Sequence, residues 1–125
     1  MIHIDTHVAL WLAGEQLERV PAVARDLIEN DDVRMSAMAQ LEMGYLHEIG
    51  RIARPPAQVM AILAAAVGLT LSSAPLPAIV AHAMTVTWTR DPFDRLIVAN
   101  ALADGAQLIT TDRQIRANFP DAVWD

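Results

Sequence analysis

Apolar residues recur along this chain in short runs whose spacing alternates between that of a buried strand and that of a helix. Ile2–Ile4 reads as a strand, and a helix is predicted over Thr6–Ala13 with Gly14 suited to end it. A second helix follows over residues 21–30, with Pro21 in its first turn and Val23, Leu27 and Ile28 on one side. Val33–Met35 makes the next strand. Ser36 can cap a helix running to about Gly50, and Pro55-Pro56 opens another through residues 57–67. A third strand is expected over residues 69–71, then a turn at Ser72-Ser73-Ala74-Pro75. A helix over residues 77–85 follows, with Ile79, Val80 and Ala83 inward. Asp91-Pro92 begins a helix that Gly105 terminates after about Ala103. Gln107–Ile109 is a strand, Asp112 begins a final helix, and a short strand is expected over residues 122–124.

Strands alternating with helices predict an α/β fold, a single domain over residues 1–125, with a parallel sheet covered by helices on both faces. In such sheets ligands bind at the carboxyl ends of the strands. Asp5 and Asp112 stand at those ends. Asp94, in the first turn of its helix, shares the rim if that helix returns beside the sheet. Each also has a capping role available: Asp5 at Thr6, Asp112 at Arg113, and Asp94 as an acid near a helix start capped by Asp91.

Glu42 separates these readings better. Taking Met38 as reference at about 100° per residue, Leu41, Tyr45 and Ile49 fall within about 60° of it, and Glu42 at about 40°. The pattern thus aims a carboxylate toward an apolar side. An unpaired buried carboxylate costs several kcal/mol, so Glu42 needs an arginine, a backbone donor or a metal ion shared with the aspartates. Two ionised carboxylates about 5 Å apart repel by roughly 3 kcal/mol at an effective dielectric of 20, so four clustered acids call for a cation. Oxygen donors suit hard ions such as Mg²⁺ or Mn²⁺.

Composition narrows the chemistry. The chain of 125 residues is 54% hydrophobic with no run long enough to span a membrane, and Met1-Ile2-His3-Ile4-Asp5 lacks the form of a signal peptide. A soluble, cytoplasmic protein is expected, without a membrane partner. No cysteine is present, which excludes thiolate metal sites and cysteine nucleophiles. The net charge of -6 disfavours general nucleic-acid binding, yet all nine basic residues are arginines, the better bidentate phosphate ligands.

The set Asp5-Thr6, Glu42 in the helix after Ser36, Asp94-Arg95-Leu96-Ile97-Val98-Ala99 and Thr110-Thr111-Asp112 resembles the PIN domain. The stretch from Arg90 to Arg95 is similar to the VapC toxins of toxin-antitoxin pairs. The resemblance covers nearly the whole chain. It implies a three-layer sandwich with a central parallel sheet of about five strands, and a metal-dependent endoribonuclease, a homodimer neutralised by a cognate antitoxin protein. Asp5, Glu42, Asp94 and Asp112 would then hold one or two Mg²⁺ or Mn²⁺ ions for hydrolysis of an RNA phosphodiester, with Thr110 and Thr6 in support. Arg95, Arg113 and Arg116 are candidate substrate contacts near the rim.

Competing readings remain. A phosphate-receiver domain has similar length and an acidic Mg²⁺ pocket but requires a lysine, which this chain lacks. A haloacid-dehalogenase-like phosphatase requires a second aspartate in its opening motif, which Asp5-Thr6-His7 lacks. The non-enzymatic alternative is a catalytically inactive PIN-like interaction module whose acids are structural. His3, His7, His47 and His82 read as structural, and Trp11, Trp88 and Trp124 as core or interface residues. A base-stacking role for a tryptophan would require it to border the acidic cleft. Asn100 reaches either the carboxylates or an internal backbone group.

Overall fold

The computed structural model describes residues 1–14 and 16–125. Five strands, β1 (Ile2–Ile4), β2 (Val33–Met35), β3 (Thr70–Leu71), β4 (Gln107–Ile109) and β5 (Ala122–Val123), form one sheet in the order β3-β2-β1-β4-β5. Every pairing is parallel. Seven helices flank it: α1 (Thr6–Ala13), α2 (Ala22–Asn30), α3 (Ala37–Glu48), α4 (Pro56–Val67), α5 (Leu76–Ala83), α6 (Pro92–Ala103) and α7 (Arg113–Asn118). A short 3-10 turn at Leu17–Arg19, absent from the sequence reading, leads into α2.

All three β1 side chains are buried, as expected for a central strand covered on both faces. Ile2, Ile4, Met35, Met43, Leu63, Leu108, Ile109 and Ile115 form the centre of the core. A smaller cluster of Ile79, Ala83 and Ala99 joins α5 to α6. Elements end where the chain cannot continue them: Gly68 closes α4 at φ +68, a left-handed conformation that costs residues with a Cβ far more. Proline at the first or second position starts α4, α5 and α6 without losing a needed N–H.

One expected face is reversed, that of α3, and two others hold but for a single residue each. Val23 and Val80 are exposed, at 52% and 43%, although Ile28, Ile79 and Ala83 beside them are buried. On α3 the apolar sector of Leu41, Tyr45 and Ile49 is exposed by half or more, while Ala39 and Met43 face the core. At about 100° per residue, Ala39 and Met43 lie about 100° and 140° from Met38, so Glu42 at about 40° stands on the border between an outer apolar stripe and the core. That border position explains why Glu42 is half-buried.

The strand order positions the site. The chain builds outward from β1 through β2 to β3, then returns to the other side of β1 for β4 and β5. The reversal lies between β1 and β4, and a crevice opens at their carboxyl ends. Ile4 lies beside Ile109 in the ladder, so Asp5 and Thr110 leave the sheet as neighbours.

Candidate active site

Asp5 follows β1 directly, is only 8% exposed, and has both carboxylate oxygens engaged. Oδ1 accepts the Thr6 N–H at 2.8 Å, capping α1, and Oδ2 accepts the Thr110 hydroxyl at 2.6 Å. Thr110, fully buried after β4, accepts the Asp112 N–H at 3.1 Å on the same oxygen. Asp112 in turn caps α7 by accepting the Ile115 N–H at 2.9 Å. The capping and rim readings therefore both hold for these two aspartates, because a strand end that becomes a helix start offers one carboxylate both tasks. Across the crevice, the Thr6 hydroxyl donates to Glu42 Oε1 at 2.5 Å.

Asp94 differs from the other three. Asp91 caps α6, accepting the N–H groups of Phe93 and Asp94 at 2.9 and 3.2 Å, and so fixes the turn that carries Asp94. The Asp94 carboxylate itself meets no donor among the described residues. Burial, then the charges of Asp91, Asp112, Asp5 and Glu42, push its pKa up to about 7. Burial likewise raises Asp5 and Glu42 above the usual carboxylate range, against the hydrogen bonds from Thr110 and Thr6 that hold them down. The Asp94 carboxyl thus lies within electrostatic reach of four other carboxylates.

Oxygen donors of one charge, crowded enough to resist ionisation, fit a hard divalent cation. Among the described residues no three histidines or carboxylates already converge into a coordination shell. The fit therefore rests on donor type and charge.

The other expected residues are placed as follows. Arg95 turns toward α5, its Nε donating to the Ala83 carbonyl at 2.9 Å. Arg116 pairs with Asp125 at 2.7 Å, and Arg113 stands exposed beside it in a shallow depression with Trp124. Asn100 reaches neither the carboxylates nor a backbone group; it donates to Ser72 Oγ at 2.8 Å. His3 is buried, and Asp104 holds its Nε2 at 2.7 Å. His7 is exposed near Asp5 and Glu42, whose charge it favours, and its ring lies 6.4 Å from Trp11. Trp11, partly buried on the core, thus also stands close to the acidic cleft. Sequence reasoning passed over Arg19, Arg51 and Arg54, which gather in the groove on that side. They come from loops and a 3-10 turn, where no periodicity marks a face.

The chain is similar to known proteins along nearly its whole length. A family model of the PIN domain matches residues 2–118. Ribonuclease VapC22 of Mycobacterium tuberculosis is 35% identical over 127 residues, covering 97% of this chain and 96% of that protein. The crystal structure of VapBC2 from Rickettsia felis, bound to a DNA fragment from their promoter, matches with a TM-score of 0.69 at 16% identity over 100% of both chains. VapBC-1 from nontypeable Haemophilus influenzae matches with a TM-score of 0.60 at 20% identity, over 100% of this chain and 97% of that one. These two likenesses concern the fold. The family match spans four of the five strands and all four acids of the cleft, and this chain belongs to the PIN-domain family.

Proposed function

We propose that this chain is a metal-dependent endoribonuclease, the toxin of a VapBC-type pair, that hydrolyses RNA phosphodiesters at the cleft of Asp5, Glu42, Asp94 and Asp112. The observation that carries the reading is Asp94: a half-buried carboxylate without a donor, facing four other acids. Unlike Asp5 and Asp112, which cap α1 and α7, Asp94 caps no helix, a task that Asp91 performs for α6. Likeness to a ribonuclease along nearly the whole chain supports the choice of substrate.

Asp5, Glu42, Asp94 and Asp112 would hold Mg²⁺, or Mn²⁺ in its place. When bound, the ion supplies Lewis acidity at the scissile phosphate, a more acidic water and charge balance. The chain's part is orientation. Thr110 ties Asp5 to the Asp112 turn, and Thr6 aims Glu42 across the crevice, so hydroxyls on two elements fix three carboxylates in relation to one another. Arg113, exposed at the α7 start, remains available to a phosphate, whereas Arg95 and Arg116 already have partners.

A cognate antitoxin is the proposed protein partner, supported by likeness to chains from VapBC assemblies. A homodimer is supported by two exposed apolar stripes at helical spacing, Leu41, Tyr45 and Ile49 on α3 and Leu76, Val80 and Met84 on α5.

The test is cleavage of a structured RNA with Mg²⁺, with Mn²⁺ and with chelator, by wild type and by Asp94→Asn. Cleavage by wild type with either cation, and its loss in chelator and in the variant, is expected. An Asp94→Asn protein that cleaves at the wild-type rate removes Asp94 from the reaction. Folded wild type that never cleaves, yet binds its partner regardless of chelator, is an interaction module instead.

A further inference from the structure

A cavity of about 570 Å³ lies beside the acids and not on them. Its near end is His7, one residue beyond the Thr6 that holds Glu42; Trp11 follows one helical turn along α1, about 6 Å farther from the acids. Its rim carries Arg19, Arg51 and Arg54. In a chain of net charge -6, a third of the nine basic residues border this one groove, and no carboxylate lines it among the described residues. None of the three arginines is paired with a carboxylate among the described residues. Arg54 donates to the Ala13 carbonyl, and the Arg19 guanidinium lies 5.2 Å from the centre of the Trp11 ring. Arg51 is exposed after α3.

We infer that this groove carries the single-stranded RNA segment flanking the scissile phosphate, with a base against His7 and Trp11 and backbone phosphates on Arg51 and Arg19. The inference rests on the ribonuclease reading for what occupies the acids. Charge complementarity favours a polyanion, since the groove is the basic counterpart of a cleft that is all acid. The aromatic edge favours RNA over an acidic peptide. A planar base stacks on a ring in any sequence, and arginine both stacks and binds phosphate. Continuity along α1 adds direction: a strand whose phosphate sits at the acids meets His7 first and Trp11 next.

Binding separates the groove from the chemistry. A fluorescein-labelled, mixed-sequence single-stranded oligoribonucleotide is titrated by anisotropy against the full chain carrying Asp94→Asn, with Arg51→Ala, Arg19→Ala, His7→Ala or Arg25→Ala added. Circular dichroism and thermal melting establish that each variant is folded. Arg51→Ala, Arg19→Ala and His7→Ala are each expected to raise Kd about five- to tenfold. Each arginine removed should also flatten the slope of log K against log salt by about 0.7. Arg25→Ala, which removes the same charge from α2, should leave Kd within about twofold. Folded groove variants with unchanged Kd and salt slope overturn the inference. So does a folded Arg51→Ala, Arg19→Ala double variant that binds RNA normally but has lost an acidic partner protein, which would make the groove a protein-docking site. If wild type binds RNA through these residues yet never cleaves it, the groove stands and the ribonuclease reading fails.

Discussion

Asp94 and Asp5 sit in one cleft but are expected to answer substitution in opposite directions. Asp94 has no donor, and burial with four acidic neighbours raises its pKa to about 7. The unfolded chain has an ordinary aspartate, so between about pH 4 and 7 the folded, metal-free protein binds the extra proton. The contribution of this group to stability therefore grows as pH falls from about 7, and above pH 7 its ionised form weakens the fold. Asp94→Asn removes that charge at nearly constant volume. At pH 8 without metal it is expected to stabilise the fold by about 1 kcal/mol, a figure reduced for the solvent that reaches a half-buried group, or about 3 to 5 °C in melting temperature. The same variant should have no ribonuclease activity. Asp5→Ala strips the Thr6 N–H and Thr110 hydroxyl of their acceptor, and should cost about 1 to 3 kcal/mol. Melting curves of the two variants in chelator check both; a destabilised Asp94→Asn would mean that its carboxylate has a partner after all.

At the scale of elements, boundaries were legible in the chain and the faces of α2 and α5 mostly so, but the face of α3 was not. Pro92 behind the Asp91 cap, the Ser36 cap and Gly68 announce where helices begin and end, because each acts on its own backbone. The direction a helix faces depends on what the sheet puts next to it. A wheel drawn on α3 groups Leu41, Tyr45 and Ile49 correctly but gives no bearing toward the core, so an outer stripe reads as an inner one. Asp5, Asp94 and Asp112 were legible as rim positions because strand ends or helix starts adjoin them in sequence, whereas Glu42, in the middle of α3, was singled out by a wheel that took the outer stripe for the inner one. The basic groove and the buried chain from His3 through Asp104 and Ser72 to Asn100 were not, since their members meet only after folding. In that chain, burial lowers the His3 pKa despite Asp104 beside it, so neutral His3 donates through Nε2 and leaves Nδ1 without a partner among the described residues. The exposed α3 and α5 stripes carry their own prediction. If a second copy covers them, Tyr45→Arg and Val80→Glu should convert a dimer into a monomer in sedimentation velocity while leaving the monomer folded, because neither side chain belongs to the core. Wild type that sediments as a monomer at high concentration would exclude the homodimer.

For the whole molecule, the cleft is a stability problem that a cation can resolve. The sheet order forces the loops after β1 and β4 together, α3 brings Glu42 to the same place, and α6 adds Asp94. None of these elements can withdraw its acid without disturbing buried neighbours such as Ile4, Met43, Ile97 and Ile109. The fold therefore holds like charges close, and their repulsion is greatest when all are ionised. A divalent ion that binds only the folded state should raise the melting temperature, by about 2.7 kcal/mol of added stability at a hundredfold excess over its Kd. Protons compete for the same oxygens, and the proton on Asp94 is lost as pH rises through about 7. Added Mn²⁺ or Mg²⁺ should thus raise the melting temperature of chelator-treated protein more at pH 8 than at pH 6. The Asp94→Asn variant should respond weakly at both, having lost a ligand and the pH-dependent competitor together. Sodium chloride at matched ionic strength controls for general screening of surface charge, which would act alike in the variant and wild type. A metal-induced shift of equal size at the two pH values, or equal in wild type and variant, would place the ion elsewhere on the molecule. No shift with either cation would remove the shared metal site and leave Asp5 and Asp112 as caps.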